Sequence, residues 1–192
     1  WRTSLGFDVK LPLDMKLTLE GIYTKDLNSI WFDNINLQPA ASTITEGANT
    51  RPYWSNNSNA TKYITYSATS PYYTEVIIMR NTQKGQGYTL AAQLDLPEIA
   101  GFNGMVAWSK SWGEEVAGKN GSDPLSAWRY RQILNSLNNE ELGLTLNNTP
   151  HRFIGNLNYA VSYAKFFKTT LSVFYSGYTG NAYSYIYNGD LN

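Results

Sequence analysis

Cysteine is absent from the 192 residues, and histidine occurs once, at His151. The first absence excludes disulfides, thiolate metal sites and cysteine nucleophiles. The second leaves any Ser-His-Asp arrangement with His151 alone. Lysine and arginine number 15, aspartate and glutamate 15, so the net charge is +0. No excess of one sign marks a nucleic-acid surface or an acidic tail. No run of about 18 apolar residues exists, which excludes helical membrane spans. It does not exclude a membrane barrel, whose inward-facing residues dilute the mean hydropathy of -0.39. No signal peptide opens the chain, which starts inside an expected strand and stops inside an expected loop. We therefore expect a piece of a longer protein.

Tyrosine (15) and tryptophan (6) are plentiful. Such enrichment fits the aromatic belts of membrane proteins. It also fits a soluble carbohydrate-binding β-sandwich, so composition alone does not choose.

Alternation does more. In His151–Asp190, Phe153, Leu157, Tyr159, Val161 and Tyr163 share one face, against Arg152, Asn156, Asn158, Ala160 and Ser162. Ile154 and Gly155 break the pattern. After a tight turn, Thr169, Leu171, Val173 and Tyr175 oppose Lys168, Thr170, Ser172 and Ser176, with Phe174 the exception. Period two over about ten residues is enough for a tilted strand to cross a bilayer. An apolar face set against a small or polar one suits a strand between lipid and a watery lumen.

The same pattern recurs along the chain. Leu5, Phe7, Val9 and Leu11 alternate with Ser4, Gly6, Asp8 and Lys10, up to a turn at Pro12–Asp14. Leu17, Leu19 and Tyr23 follow, opposite Lys16, Thr18 and Glu20. Tyr88, Leu90, Ala92, Leu94 and Leu96 alternate with Thr89, Ala91, Gln93 and Asp95. A short turn is expected over 97–101, and then Phe102, Val106 and Trp108 face away from Asn103, Ala107 and Ser109. The expected strands are approximately 1–11, 15–33, 73–97, 102–117, 151–164 and 167–183. The long loops are 38–72 and 113–150, the second with a short helix or irregular lid over Ser126–Leu137. The fold class is all-β, antiparallel, part of a transmembrane β-barrel. Short and long connections alternate, as in barrels with short periplasmic turns and long outer loops. Six strands are too few to close such a barrel, and an open edge is costly in lipid.

Few residues suggest chemistry, and no enzyme is expected. His151 and Arg152 sit at a loop-to-strand junction, where hydrogen bonding at the strand end is the simpler role. Asp190 and Asn192 begin a D-x-N pattern, a weak calcium candidate in an outer loop of the full protein and otherwise an ordinary Asx-rich turn. No other metal or cofactor is expected. Aromatic residues and arginine on loops anchor recognition surfaces. Trp54, Tyr72, Tyr73, Trp128, Tyr130, Arg131, Tyr183 and Tyr185 are the ligand-binding candidates on that ground, although loop aromatics also simply pack loops together. Lys16, Glu20, Gln93, Asp95, Asn156 and Asn158 are the candidate lumen-facing residues. Tyr159, Tyr163, Phe166 and Phe167 near one turn, and Tyr175, Tyr178, Tyr183, Tyr185 and Tyr187 toward the other end, read as two interfacial girdles, the last three extending into the outer loop; a sugar-stacking platform over Tyr183–Tyr187 is the alternative.

Two stretches resemble a known family. The run RNTQKGQGYTLAAQLDLP (80–97) resembles a strand of TonB-dependent outer-membrane receptors, in particular the Oar-like group of Bacteroidetes, which carries a carboxypeptidase-regulatory-like domain at its N terminus. The run from Thr149 to Asn192 resembles a barrel segment of that group. There an HR pair opens one strand and a G-x-x-YSY-x-YNGD-x-N run leaves the next. The matching residues are His151, Arg152, Gly180, Tyr183, Ser184, Tyr185, Tyr187, Asn188, Gly189, Asp190 and Asn192. The resemblance covers roughly half the chain and omits both long loops. It implies a late portion of a 22-stranded barrel, with a plug and a TonB-contacting segment upstream. It also implies a bacterial outer-membrane location with the long loops at the cell surface. The implied activity is import of a bulky solute (glycan, peptide or metal chelate), driven by the proton gradient through TonB. Expected partners are outer-membrane lipid, the TonB complex and a surface lipoprotein or other outer-membrane protein, and not nucleic acid. Two rivals stay open: a non-transporting barrel serving as scaffold or adhesion partner, and the soluble sandwich.

Overall fold

The computed structural model describes residues 1–47, 49–54, 62–64, 75–116, 121–131, 135–145 and 148–185. The protein is mostly β, with antiparallel sheets. The strands are β1 (Arg2–Lys10), β2 (Lys16–Lys25), β3 (Ser29–Asn34), β4 (Ser42–Glu46), β5 (Asn49–Tyr53), β6 (Ile77–Thr82), β7 (Gln86–Ile99), β8 (Phe102–Val116), β9 (Leu142–Leu144), β10 (His151–Tyr163) and β11 (Phe167–Tyr178). A short helix, α1 (Pro124–Arg129), precedes β9. It starts where Asp123 caps it, accepting from the Ser126 backbone N–H at 2.9 Å and from the Ser126 hydroxyl at 2.8 Å, with Pro124 in the first turn.

A seven-stranded sheet runs in the order β1-β2-β7-β8-β10-β11, with β9 attached to β8. The six strands of the path are neighbours in chain order, a meander. Three pairs are joined by short turns. Leu13 (φ 63) and Asp14 (φ 53) turn β1 into β2. Ala100 (φ 52) and Gly101 (φ 85) turn β7 into β8, and Ala164 (φ 49) and Lys165 (φ 62) turn β10 into β11. Two successive positive φ values match the right-handed twist of hairpin strands. All three turns lie at one end of the sheet, and both long connections leave from the other.

The register is staggered. Lys10 and Lys16, at the first turn, align with Asp95 in β7, and β7 runs on to Ile99 before turning. Phe102, just after that turn, aligns with Tyr159, and β10 runs on to Tyr163. Each hairpin therefore reaches further than the one before it.

Several expected boundaries are corrected. The strand expected over 15–33 ends at Lys25, and Ser29–Asn34 pairs with β6 in a separate sheet. The strand region expected over 73–97 divides, within the described residues, into β6 and β7 at Gly85, whose φ of 120 breaks the extended run. The turn expected over 97–101 shrinks to Ala100–Gly101. β7 passes through Pro97 by way of a register shift between Leu96 and Ile99, an irregularity that spares proline a ladder bond. The last strand ends at Tyr178, short of 183. The segments expected as long loops contain the β4–β5 hairpin and β9, and α1 lies at the start of the short helix or lid expected over Ser126–Leu137.

The chain clusters into two compact units. The first comprises 1–25, 86–114 and 144–182, essentially the six long strands. The second comprises 26–85, 115–143 and 183–192, the two long connections and the chain end. The second has an ordinary interior, in which Trp31, Trp54, Tyr63, Ala127 and Trp128 are buried. Asn138 is its hub. Its side-chain oxygen accepts from the Asn34 backbone N–H at 3.0 Å and from Trp128 Nε1 at 2.9 Å, while its Nδ2 donates to Asn34 O at 2.8 Å. Asn34 is itself buried, and its Oδ1 accepts the backbone N–H groups of Asn36 and Val76. Glu140 adds an ion pair to Lys84 at 3.6 Å and accepts from the Thr82 hydroxyl. Residues about a hundred positions apart are thus fastened without a disulfide.

Candidate functional site: the two faces of the sheet

The cross-strand register gathers the alternating residues of six strands into two continuous faces. One row reads Phe7, Leu19, Ala92, Trp108, Phe153. The next reads Val9, Leu17, Leu94, Val106, Gly155, Tyr175, and beyond it Leu96, Gly104, Leu157, Val173. Many of these side chains are exposed, and Leu17, Leu94, Leu96 and Trp108 are half-buried. Phe7 is 59%, Val106 57% and Leu171 66% exposed, and none of the first unit's large apolar residues is buried among the described residues. A contiguous apolar surface of this size on a water-soluble monomer is abnormal.

Aromatic rows border that surface. At the end with the long connections, Tyr23, Tyr88 and Trp112 align across three strands. Trp1 meets Tyr23 edge-on at 6.0 Å, and Tyr88 stacks on Trp112 at 5.7 Å. At the turn end, Phe102 packs on Tyr159 at 4.5 Å, Tyr163 stacks on Phe167 at 5.9 Å and Phe166 lies against Phe167 at 4.8 Å. From Phe102 to Trp112 the two rows lie ~33 Å apart along the strand, at ~3.3 Å per residue. The first of these rows escaped the sequence reading, because its members lie far apart in the chain and only register aligns them. The turn-end residues were anticipated. His151 sits on the apolar face beside Trp108, accepting from its indole N–H at 3.3 Å. Its backbone N–H and C=O are both bonded to Thr179. These bonds give His151 a fastening role at the strand end.

The opposite face is polar and small. Asp8, Thr18, Gln93, Ala107, Ile154 and Ser176 form one row, and Lys16, Asp95, Met105, Asn156 and Phe174 another. Lys16, Glu20, Gln93, Asp95, Asn156 and Asn158 therefore share this face. Ile154 and Phe174 intrude on it, as the alternation indicated. Lys16 pairs with Asp8 at 3.1 Å, the Thr18 hydroxyl donates to Asp8 at 2.7 Å, and Asn158 donates to Asn103 at 2.9 Å. A recess of about 100 Å³ lies among Glu20, Gln93, Ser109 and Arg152.

The loop candidates do not converge on one site. Trp54 is buried and its indole N–H donates to Gln38 O at 2.9 Å. Trp128 is only 2% exposed. Arg131 is buried, with its guanidinium 3.8 Å from the centre of the Trp31 ring. Burial pulls its pKa down to about 10 against the opposing pull of Asp33 and Glu141. These three side chains build the interior of the second unit. Tyr130, Tyr183 and Tyr185 are exposed, the last two meeting edge-on at 5.5 Å. Tyr72, Tyr73, Asp190 and Asn192 lie outside the described residues. Among the described residues no cluster of acidic or histidine side chains could hold a metal, and no helix is long and apolar enough to cross a membrane. No protein-family model, curated protein or solved structure matches the chain.

Proposed function

We propose that this chain is the late-barrel part of a TonB-dependent outer-membrane receptor of the Oar-like type. In this reading the six long strands are one arc of a larger, 22-stranded barrel, the apolar face meets lipid and the polar face meets the lumen. The barrel binds and imports a bulky solute on energy delivered through TonB, without chemistry on the solute. The long connections stand at the bacterial cell surface.

The observation that carries this proposal is the unpartnered apolar band bordered by two aromatic rows. Lipid would cover such a face, and on strands tilted by about 40° the two rows would stand about 25 Å apart, the spacing expected of interfacial girdles. A soluble sandwich needs a second sheet on that face, yet its side chains are exposed. The strands run from 9 to 15 residues, and about 9–11 are enough to span. A steady stagger from hairpin to hairpin is consistent with this reading, because tilted strands close into a barrel only with a fixed shear.

The test is electrophoresis of the native full-length protein from outer-membrane fractions. A band that migrates differently before and after boiling in SDS, at a mass well above 21.6 kDa, is expected. A soluble species needing no detergent would overturn the reading.

A further inference from the structure

The polar face contains a second recess, of about 310 Å³, near the end from which the long connections depart. This is at the low end of the volume range of small-molecule sites. Thr24, Thr89, Ser111 and Thr145 bring hydroxyls to it, Asn148 brings an amide, and no charged side chain lines it. Its floor is bare backbone at Gly87 and Gly113. A Cβ at Gly113 would come within 3.3 Å of Thr145 Oγ1, and one at Gly87 within 2.9 Å of Trp112 O.

Asn148 singles this recess out. The residue is 6% exposed, and its side chain makes no hydrogen bond with the described residues; only its backbone N–H is used, donating to Thr145 O at 3.0 Å. A primary amide has two donors and an acceptor with two lone pairs. Asn148 is not among the buried side chains cut off from solvent, so water reaches its amide, and an occupant of the recess that pairs with the amide can take that water's place. Ser111 is partly committed, its hydroxyl donating to Thr149 O at 2.7 Å. The other three hydroxyls make no such bond.

The lining selects the chemistry of the occupant. An anion or cation would lose its hydration and meet no counter-charge. An apolar ligand would bury the amide and hydroxyls unpaired. A neutral polyol satisfies both conditions. We infer that this recess binds a neutral saccharide unit, held by Thr24, Thr89, Thr145 and Asn148. This deepens the receptor reading and rests on it only for the ligand's route, since a closed barrel is what makes the polar face an interior.

The native full-length protein in detergent is tested on an array of neutral glycans and of sulfated or uronic-acid glycans. Binding to at least one neutral glycan is expected, weakened about tenfold or more in Thr89→Val and in Asn148→Ala, as for the loss of a well-made buried hydrogen bond. Both variants should keep the wild-type band shift on boiling, which shows that they fold. No bound neutral glycan, binding confined to charged glycans, or equal affinity in wild type and both variants would each overturn the inference. A heat-modifiable barrel that binds no neutral glycan defeats this inference and leaves the receptor reading standing. A soluble species that binds one in the predicted manner does the reverse.

Discussion

The two units solve opposite problems. The second hides two tryptophans as completely as any soluble protein does, with Trp31 3% and Trp128 2% exposed. The first presents Phe7, Leu19, Val106, Leu157 and Val173 on its surface. Each such side chain left in water forgoes about 1.5–3 kcal/mol of burial. A six-stranded sheet cannot leave that whole series unmet and be a stable water-soluble layer. On the proposed reading the difference lies in the solvent each unit is made for: the loop unit makes its own apolar interior, whereas the sheet would take its apolar environment from the bilayer.

Substitutions can test that contrast. The largest effect is expected for Trp128→Ala, which empties the centre of the loop unit. It should cost about 3–5 kcal/mol and be seen as protease sensitivity of the long connections on intact cells, with the heat-modifiable band unchanged. If the barrel band disappears as well, the units are not independent in stability. Next, Leu157→Arg should cost about 2–4 kcal/mol in urea titrations of the protein folded into vesicles, and Asn158→Arg clearly less. Equal costs for these two neighbours would remove the distinction between the faces. Asn138→Ala strands the buried Asn34 N–H and the Trp128 indole N–H, for roughly 2–3 kcal/mol, again confined to the loop unit. Hydrogen exchange at Asn34 and Val76 would report it.

The smallest effect is at α1. The Ser126 backbone N–H and hydroxyl stabilise the Asp123 carboxylate and hold its pKa below the ordinary 3.8. A lowered carboxylate pKa stabilises the fold above the unfolded value and ceases to do so as pH falls through the folded one. The cap should therefore hold at neutral pH and loosen only below about pH 4, and Asp123→Ala should remove that pH dependence. An α1 equally protected at pH 3 and pH 7 would show that packing of Ala127 and Trp128 alone holds the helix.

Much of the sheet was legible because period two is a local signal. Phe153 to Tyr163 declare their faces without reference to any other strand. Even the exceptions, Ile154 and Phe174, fall where the alternation puts them. The interior of the loop unit was not legible. Trp31 and Phe32 read as an extension of β2, since nothing nearby shows that Ile77–Thr82 will pair with them. Asn138 reads as one asparagine in a polar run. Its role depends on Asn34, 104 positions away, and no period connects the two. Trp54, Trp128 and Arg131 attracted attention as loop aromatics and cation, the residue types that mark binding surfaces. Their burial shows the ambiguity of that signal: a tryptophan fills an interior as readily as it anchors a binding surface, and Arg131 is buried against the Trp31 ring.

The β3–β6 pairing has a kinetic consequence. Hairpins such as β1–β2 need only short turns to form, but the β2–β7 seam must wait for some sixty residues to bring its ends together. The entropy of closing a chain grows slowly with length and is met only once. When Ser29–Asn34 zips onto Ile77–Thr82, the Asp26 N–H reaches Gly85 O at 3.1 Å, and Lys25 and Gln86 are delivered already side by side. From then on the seam propagates as a hairpin does, at the speed of a local contact.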